Sequence, residues 1–318
     1  MDEEILLDEA FLPYYIKNLD ALKNDDTKNF AYYSSLEVIH YILDKGIFWL
    51  RSAACMNDWS EIRRGQFLFS KYFQNPDRCN RLFNVLSKID NQFKWKDNLK
   101  DLIEYFPEVA LSDCYLASLT VHDKVDDASG RLSMWRGYGR GIGGALILKK
   151  NKIIDIDLGD VYLSKVAYFS EEEFIGEFNK FVDSLEERLD ELKVINAETV
   201  WNAFKRAIIF AIVSIKDPGF KEEKEWRVLL FDSSSINGKE KVFSKTKVIN
   251  GIPQRVYQLN IKSDLPDLLD HVIIGPTQYS KVAYTALKDD LSKLYEGTPV
   301  SIEGNLKMST IPIRPETL

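Results

Sequence analysis

The sequence predicts a mixed α+β fold: one domain over residues 1–318, built on a mixed sheet core with helical insertions. Three observations predict it. Short apolar runs rich in β-branched and aromatic residues, at 114–120, 144–148, 226–231, 256–261 and 272–274, read as strands. Segments with apolar residues at helical spacing lie between them without a regular strand-helix alternation, and no repeat, low-complexity tract or linker divides the chain. At 318 residues, 45% apolar and 12% aromatic, the chain can fill a large core, which excludes a disordered or fibrous protein.

Residues 1–29 read as an N-terminal extension. Residues 30–35 then read as a strand, and Leu36, Ile39, Ile42 and Leu43 as the apolar face of a helix that Gly46 stops. Ser34 or Ser35 is placed to cap that helix, Ser34 with Glu37 three positions on in the manner of a capping box. Residues 47–50 form a short buried strand. Residues 63–110 read as a helical insertion, two helices broken near Asn75-Pro76. Over 171–193 the residues Phe174, Phe178, Phe181, Val182, Leu185, Leu189 and Leu192 make an apolar stripe opposite an acidic face that could dock a partner. A helix over 197–216 ends apolar all round at 207–215, which marks it as central and buried. A helix over 280–295 and a strand over 308–313 close the series.

The charge balance sets limits on partners. With 42 Lys plus Arg against 49 Asp plus Glu the net charge is -7, which argues against a general polyanion-binding surface but leaves recognition of a nucleic acid end or base open. Cys55, Cys79 and Cys114 have no C-x-x-C spacing, so neither a disulfide framework nor a cysteine zinc site is indicated. The stretch 207–215 falls far short of the roughly 20 residues of a spanning helix, and the acidic start Met1-Asp2-Glu3-Glu4 is unlike a signal peptide. A soluble, cytoplasmic protein without membrane contacts is expected.

Gly139-Arg140-Gly141-Ile142-Gly143-Gly144 satisfies G-x-G-x-x-G, but an apolar strand follows it where a dinucleotide fold needs a helix. Upstream, Ser133-Met134-Trp135-Arg136-Gly137-Tyr138 combines rings able to stack on a base with a guanidinium able to bind phosphate; an aromatic core corner with Arg136 at the surface is the equal alternative. In 220–227 Glu225 and Arg227 flank Trp226 on a strand, so the two charges share a face, where a carboxylate could bind a ribose hydroxyl or stabilise a developing cation. Asp217, Glu222 and Lys224 could instead build a magnesium-dependent nuclease site. His40, His122 and His271 share no ligand spacing, so no metal is expected, and no G-x-S-x-G is present.

Several separated blocks then line up in order with a known pattern. They are 31–35, Gly46-Ile47-Phe48-Trp49, Met56-Asn57-Asp58-Trp59-Ser60-Glu61, Met134-Trp135-Arg136-Gly137-Tyr138 with Gly144, Lys216 through 220–227, Ile274-Gly275-Pro276 and 309–314. Over about 30–314 the chain resembles the bacterial family catalogued as domain of unknown function 2971. Its opening block and its distal Glu-x-Trp-Arg strand are similar to the scheme of ADP-ribosyltransferases. That resemblance implies an ADP-ribosyltransferase-like fold and NAD as co-substrate. It places Glu225 and Tyr138 at the catalytic position, and Tyr32, Ser34, Trp135, Arg136 and Arg227 at the cofactor. Asn57, Asp58, Glu61 and Lys216 are further pocket candidates. Tyr32 stands where the family usually has histidine; a phenol can also donate a hydrogen bond to ribose. The implied activity is ADP-ribosyl transfer to a nucleic acid, nucleotide or protein, or NAD hydrolysis, in a toxin or antiphage-defence setting. A metal-dependent nuclease and a non-catalytic interaction module are the alternatives.

Overall fold

The computed structural model describes residues 3–25, 29–55, 59–104, 114–139, 142–156, 158–159, 161–232, 241–249, 251–298, 302 and 304–312, with backbone only at 59–61. The α+β expectation holds: helices accompany a mixed ten-stranded sheet. The chain divides into two compact units: 1–22, 52–114 and 164–222 form unit 1, and 23–51, 115–163 and 223–318 form unit 2.

Unit 1 is helical. It holds α1 (Glu3–Phe11), α2 (Pro13–Lys23, its last residue in unit 2), α4 (Trp59–Phe73), α5 (Pro76–Ile89), α6 (Trp95–Glu104), α9 (Glu171–Glu187), α10 (Leu189–Leu192) and α11 (Ala197–Val213). The apolar stripe of α9 packs as expected, with Phe178 against Phe69 and Tyr72, and Phe181 against Phe204 of α11 and Phe11 of α1. Helix α11 is the buried centre, with ten of its residues in the core. Residues 3–22 are therefore part of this bundle: Leu6, Leu7, Ala10 and Phe11 are buried, and Asp8 pairs with Arg206 at 2.6 Å. The insertion breaks where expected, Asn75 capping α5 with Pro76 in its first turn, but a third helix, α6, follows the two that the pattern suggests. Part of the acidic face of α9 is engaged within the unit, where Arg81 binds both Asp183 and Glu186.

Unit 2 is built on the sheet. Its elements are β1 (Asn29–Ser35), α3 (Leu36–Lys45), β2 (Ile47–Ser52), β3 (Cys114–His122), α7 (Leu132–Tyr138), β4 (Gly143–Leu148), α8 (Lys150–Asp155), β5 (Val161–Lys165), β6 (Glu225–Phe231), β7 (Val242–Ile249), β8 (Ile252–Asn260), α12 (Leu265–Leu268), β9 (Leu269–Ile274), α13 (Ser280–Leu294) and β10 (Leu306–Met308). The strand order is β10-β9-β4-β1-β3-β2-β8-β7, with β6 also on β3 and β5 on β6. Strand β10 runs parallel to β9, whereas β1 is antiparallel to both β3 and β4. Among the described residues, no helix is long and apolar enough to cross a membrane.

Register decides which side chains meet. Ala31 lies opposite Thr120 and Ile147, and Tyr33 opposite Ala145. These positions face α7, where Ala31, Tyr33, Ala145, Ile147 and Ile273 pack with Met134 and Trp135. The alternate positions face α3: Gly144, opposite Ser34, comes within touching distance of Leu36 and Ile39. Helix α3 begins at Ser35, whose hydroxyl accepts the Val38 N–H at 3.4 Å, so Ser35 rather than the Ser34–Glu37 pairing is the cap. Gly46 closes the helix in the left-handed region at φ +64°. Replacing Ser35 by Ala is expected to cost about 1 kcal/mol in urea unfolding. Glu37→Ala serves as the control, and a loss as large there would place the cap elsewhere.

Candidate functional site

The segment that leads into β6 has the one positive φ of a non-glycine residue among the described residues, Lys224 at φ +45°. Such a backbone costs free energy and persists where the surroundings hold it. Here strand β3 holds it: Val121 N–H donates to Lys224 O at 3.1 Å, and the Thr120 hydroxyl donates to Glu223 O. The Lys224 ammonium reaches Asp123 at 2.6 Å. Within this fixed turn the half-buried Glu223 carboxylate accepts a hydrogen bond from the Tyr138 hydroxyl at 3.1 Å. A loop carboxylate and a helix phenol thus meet on the α7 side of the sheet.

Glu225 and Arg227 do share a face, as the alternation predicts, but that face is closed. Glu225 is 3% exposed and Arg227 0%. The guanidinium donates to Glu225 at 2.8 and 3.3 Å, and the Ser118 hydroxyl donates to the same carboxylate at 2.6 Å. Charge-assisted hydrogen bonds of this kind hold the carboxylate in one orientation. Trp226, pointing the other way, packs edge-on against Phe30.

The sheet divides the remaining expected cofactor residues. Tyr32 projects to the α3 side, its ring 4.6 Å from that of Phe48, and Ser34 shares that side. Trp135, Tyr138, Glu225 and Arg227 lie on the other, so β1 does not bring Tyr32 and Ser34 to the same surface as Glu225. Trp135 is a core residue: its ring meets Tyr33 edge-on at 4.7 Å and its indole N–H donates to Ser129 O at 2.9 Å. Burial pushes the Tyr33 phenol up to about 12, against the opposing Arg131 contact. Arg136 is exposed, which matches the core-corner alternative for the 133–138 block. Lys216 belongs to unit 1, where it is buried with its ammonium over the Phe220 ring at 4.8 Å. Asn57 and Asp58 and the Glu61 side chain lie outside the described residues. Of the nuclease set, Asp217 accepts the Gly219 N–H at 2.9 Å and Lys224 is engaged by Asp123, so two of its three members are bound locally. The glycines of 139–144 follow α7 and feed β4, as read from the sequence, with Arg140 and Gly141 outside the described residues.

One cluster escapes the sequence altogether. His122 ends β3 and His271 lies in β9, both buried, with their rings 5.8 Å apart and Asp127 between them. Asp127 Oδ1 is 2.8 Å from His122 Nε2 and 3.9 Å from His271 Nε2, while Lys307 of β10 reaches Asp127 Oδ2 at 3.2 Å and His271 Nε2 at 3.3 Å. Asp270 contacts His271 Nδ1 at 2.8 Å, and that bond holds the Asp270 carboxyl below its ordinary value. Burial pushes the His122 imidazole down despite Asp127. Burial also opposes ionisation of Asp127, yet the His122 and Lys307 contacts outweigh it and the net direction is down. No spacing in the chain signals this group, because its members come from three strands and a loop that only the sheet order juxtaposes.

Unit 1 has a separate apolar cavity of about 210 Å³, lined by Phe11, Tyr14, Phe69, Phe178 and Phe210 among others, and none of the expected site residues lines it. Residues 134–228, under a third of the chain, match the family model described as "Protein of unknown function (DUF2971)". That segment includes α7, with Trp135 and Tyr138, and the first part of β6, with Glu225 and Arg227. No curated protein and no solved structure matches the chain.

Proposed function

We propose that the protein acts on the N-glycosidic bond of NAD, as an ADP-ribosyltransferase or an NAD glycohydrolase, and that Glu223 is the carboxylate that meets the substrate. The observation that carries this reading is the Tyr138–Glu223 pair at 3.1 Å beside the strained Lys224 backbone. A glycosidic bond to nicotinamide breaks through a cation-like state, which a positioned carboxylate stabilises, and the same carboxylate can take the proton of an acceptor hydroxyl or water. Tyr138 orients that carboxylate. Glu225, which the family resemblance implies as the catalytic group, is the buried partner of Arg227 and keeps the start of β6 rigid. The acceptor classes in this reading are water, a nucleic acid, a nucleotide or a protein, and a toxin or antiphage role follows from the resemblance.

The test is nicotinamide release and label transfer from labelled NAD by the purified full chain, with and without lysate and with and without EDTA. Glu223→Gln is expected to lower turnover by about 10²- to 10⁴-fold, the usual contribution of a positioned general base. Tyr138→Phe loses one hydrogen bond of about 1.5 kcal/mol and should cost about tenfold. Turnover unchanged in Glu223→Gln with the fold intact removes Glu223 from the chemistry. Absence of release under every condition removes the NAD reading itself, and EDTA-sensitive cleavage of nucleic acid would install the nuclease in its place.

A further inference from the structure

We propose that His122, Asp127 and His271 bind a divalent first-row transition metal ion of the zinc class, in competition with the ammonium group of Lys307. This goes beyond the NAD reading and does not depend on it. Two imidazoles and one carboxylate are a common three-ligand set for zinc and for open non-haem iron sites. The three donor atoms all lie within 4.8 Å of one another. With ligand bonds of about 2.0–2.1 Å, neighbouring donors in a tetrahedral site stand about 3.3 Å apart. The two distances to Asp127, 2.8 and 3.9 Å, bracket that value.

The outer contacts fit the same role. A metal-binding histidine usually gives its second ring nitrogen to a carboxylate, which fixes the tautomer. His271 does so through Nδ1 to Asp270. Its other nitrogen, Nε2, faces Lys307, and an ammonium group donates only, so Nε2 presents a lone pair to that position. The ammonium therefore marks a place where these ligands already receive a cation. His122 differs from His271: it meets Asp127 through Nε2, and among the described residues its buried Nδ1 has no hydrogen-bond partner, so no second carboxylate fixes its tautomer. At 39% exposure, Asp127 gives the ion a path from solvent and leaves room for a water ligand.

The measurement is chelator-competition titration of the metal-stripped full chain with Zn²⁺, and with Co²⁺ followed by its visible spectrum. Binding of about one equivalent is expected, with a cobalt spectrum typical of nitrogen and oxygen ligands in a low-coordinate site. Asp127→Asn, at a partly exposed position, should abolish it, and Asp270→Asn should weaken it by about 10- to 100-fold. Lys307→Met is the discriminating variant. Removing a competing charge at contact distance should tighten binding by at least about tenfold, whereas a Lys307 that serves only as a permanent counter-ion gives a less stable protein with no gain in metal. No metal retained by either the natural chain or Lys307→Met overturns the proposal, as does binding that Asp127→Asn leaves unchanged. NAD turnover is not read in this experiment, so its outcome and that of the NAD reading are separate.

Discussion

Replacing Arg227 by Met is expected to destabilise unit 2 by about 3–5 kcal/mol, because it removes from the interior the guanidinium that donates twice to the buried Glu225 carboxylate. Arg227 is fully buried and Glu225 3% exposed, so water does not replace the lost donors. The Ser118 hydroxyl, at 2.6 Å from the same carboxylate, is a neutral donor and a weaker partner than the guanidinium. The double change Glu225→Gln with Arg227→Met should recover much of the loss, since both charges of the pair are then removed, and this separates the cost of breaking the pair from its net worth. Urea unfolding followed by tryptophan fluorescence measures both. An Arg227→Met cost under about 1 kcal/mol would mean that the pair does not anchor β6. A large cost also bears on the site, since β6 continues directly from the turn that holds Glu223.

The second large effect is expected at Gly130. This residue sits at φ +64°, and a methyl group there would collide with the Trp135 ring. Gly130→Ala therefore carries about 1–2 kcal/mol for a left-handed backbone and about 1–3 kcal/mol for crowding a packed core. The ring has little room to yield: its N–H is bonded to Ser129 O, and that carbonyl also accepts the Ser309 hydroxyl at 2.5 Å. Displacement of Trp135 would move α7 and with it Tyr138. The expected result is a lower unfolding midpoint together with a changed tryptophan emission in the folded protein. An unaltered midpoint and spectrum would show that the 129–135 turn relaxes without involving the helix.

Much of the fold is legible in the chain because it rests on local rules. The stripe of Phe174, Phe178, Phe181 and Leu185 identifies a half-buried helix by spacing alone, and Asn75-Pro76 and Gly46 mark helix ends through backbone chemistry that neighbours in the chain supply. Strand β7 escapes such a reading because its residues after Val242 are mostly polar and exposed, so no apolar alternation announces it. The third insertion helix, α6, lies in a run whose mixed charge and aromatic residues blur the break after Ile89.

The site is legible only in part. Sequence alternation places Glu225 and Arg227 on one face of a strand, and 133–138 reads as either a stacking block or a core corner. Burial decides both: the pair is internal, and Trp135 is packed against Tyr33. Fold class, the central helix α11 and the co-facing charges of β6 can be read along the chain, since each follows from a period of 2 or 3.6 residues. Three relations become visible once the chain is folded: Tyr32 faces away from Glu225, Glu223 meets Tyr138, and His122, Asp127 and His271 converge beside Lys307. Those relations depend on strand order and register between segments far apart in the chain, and local periodicity carries no information about either.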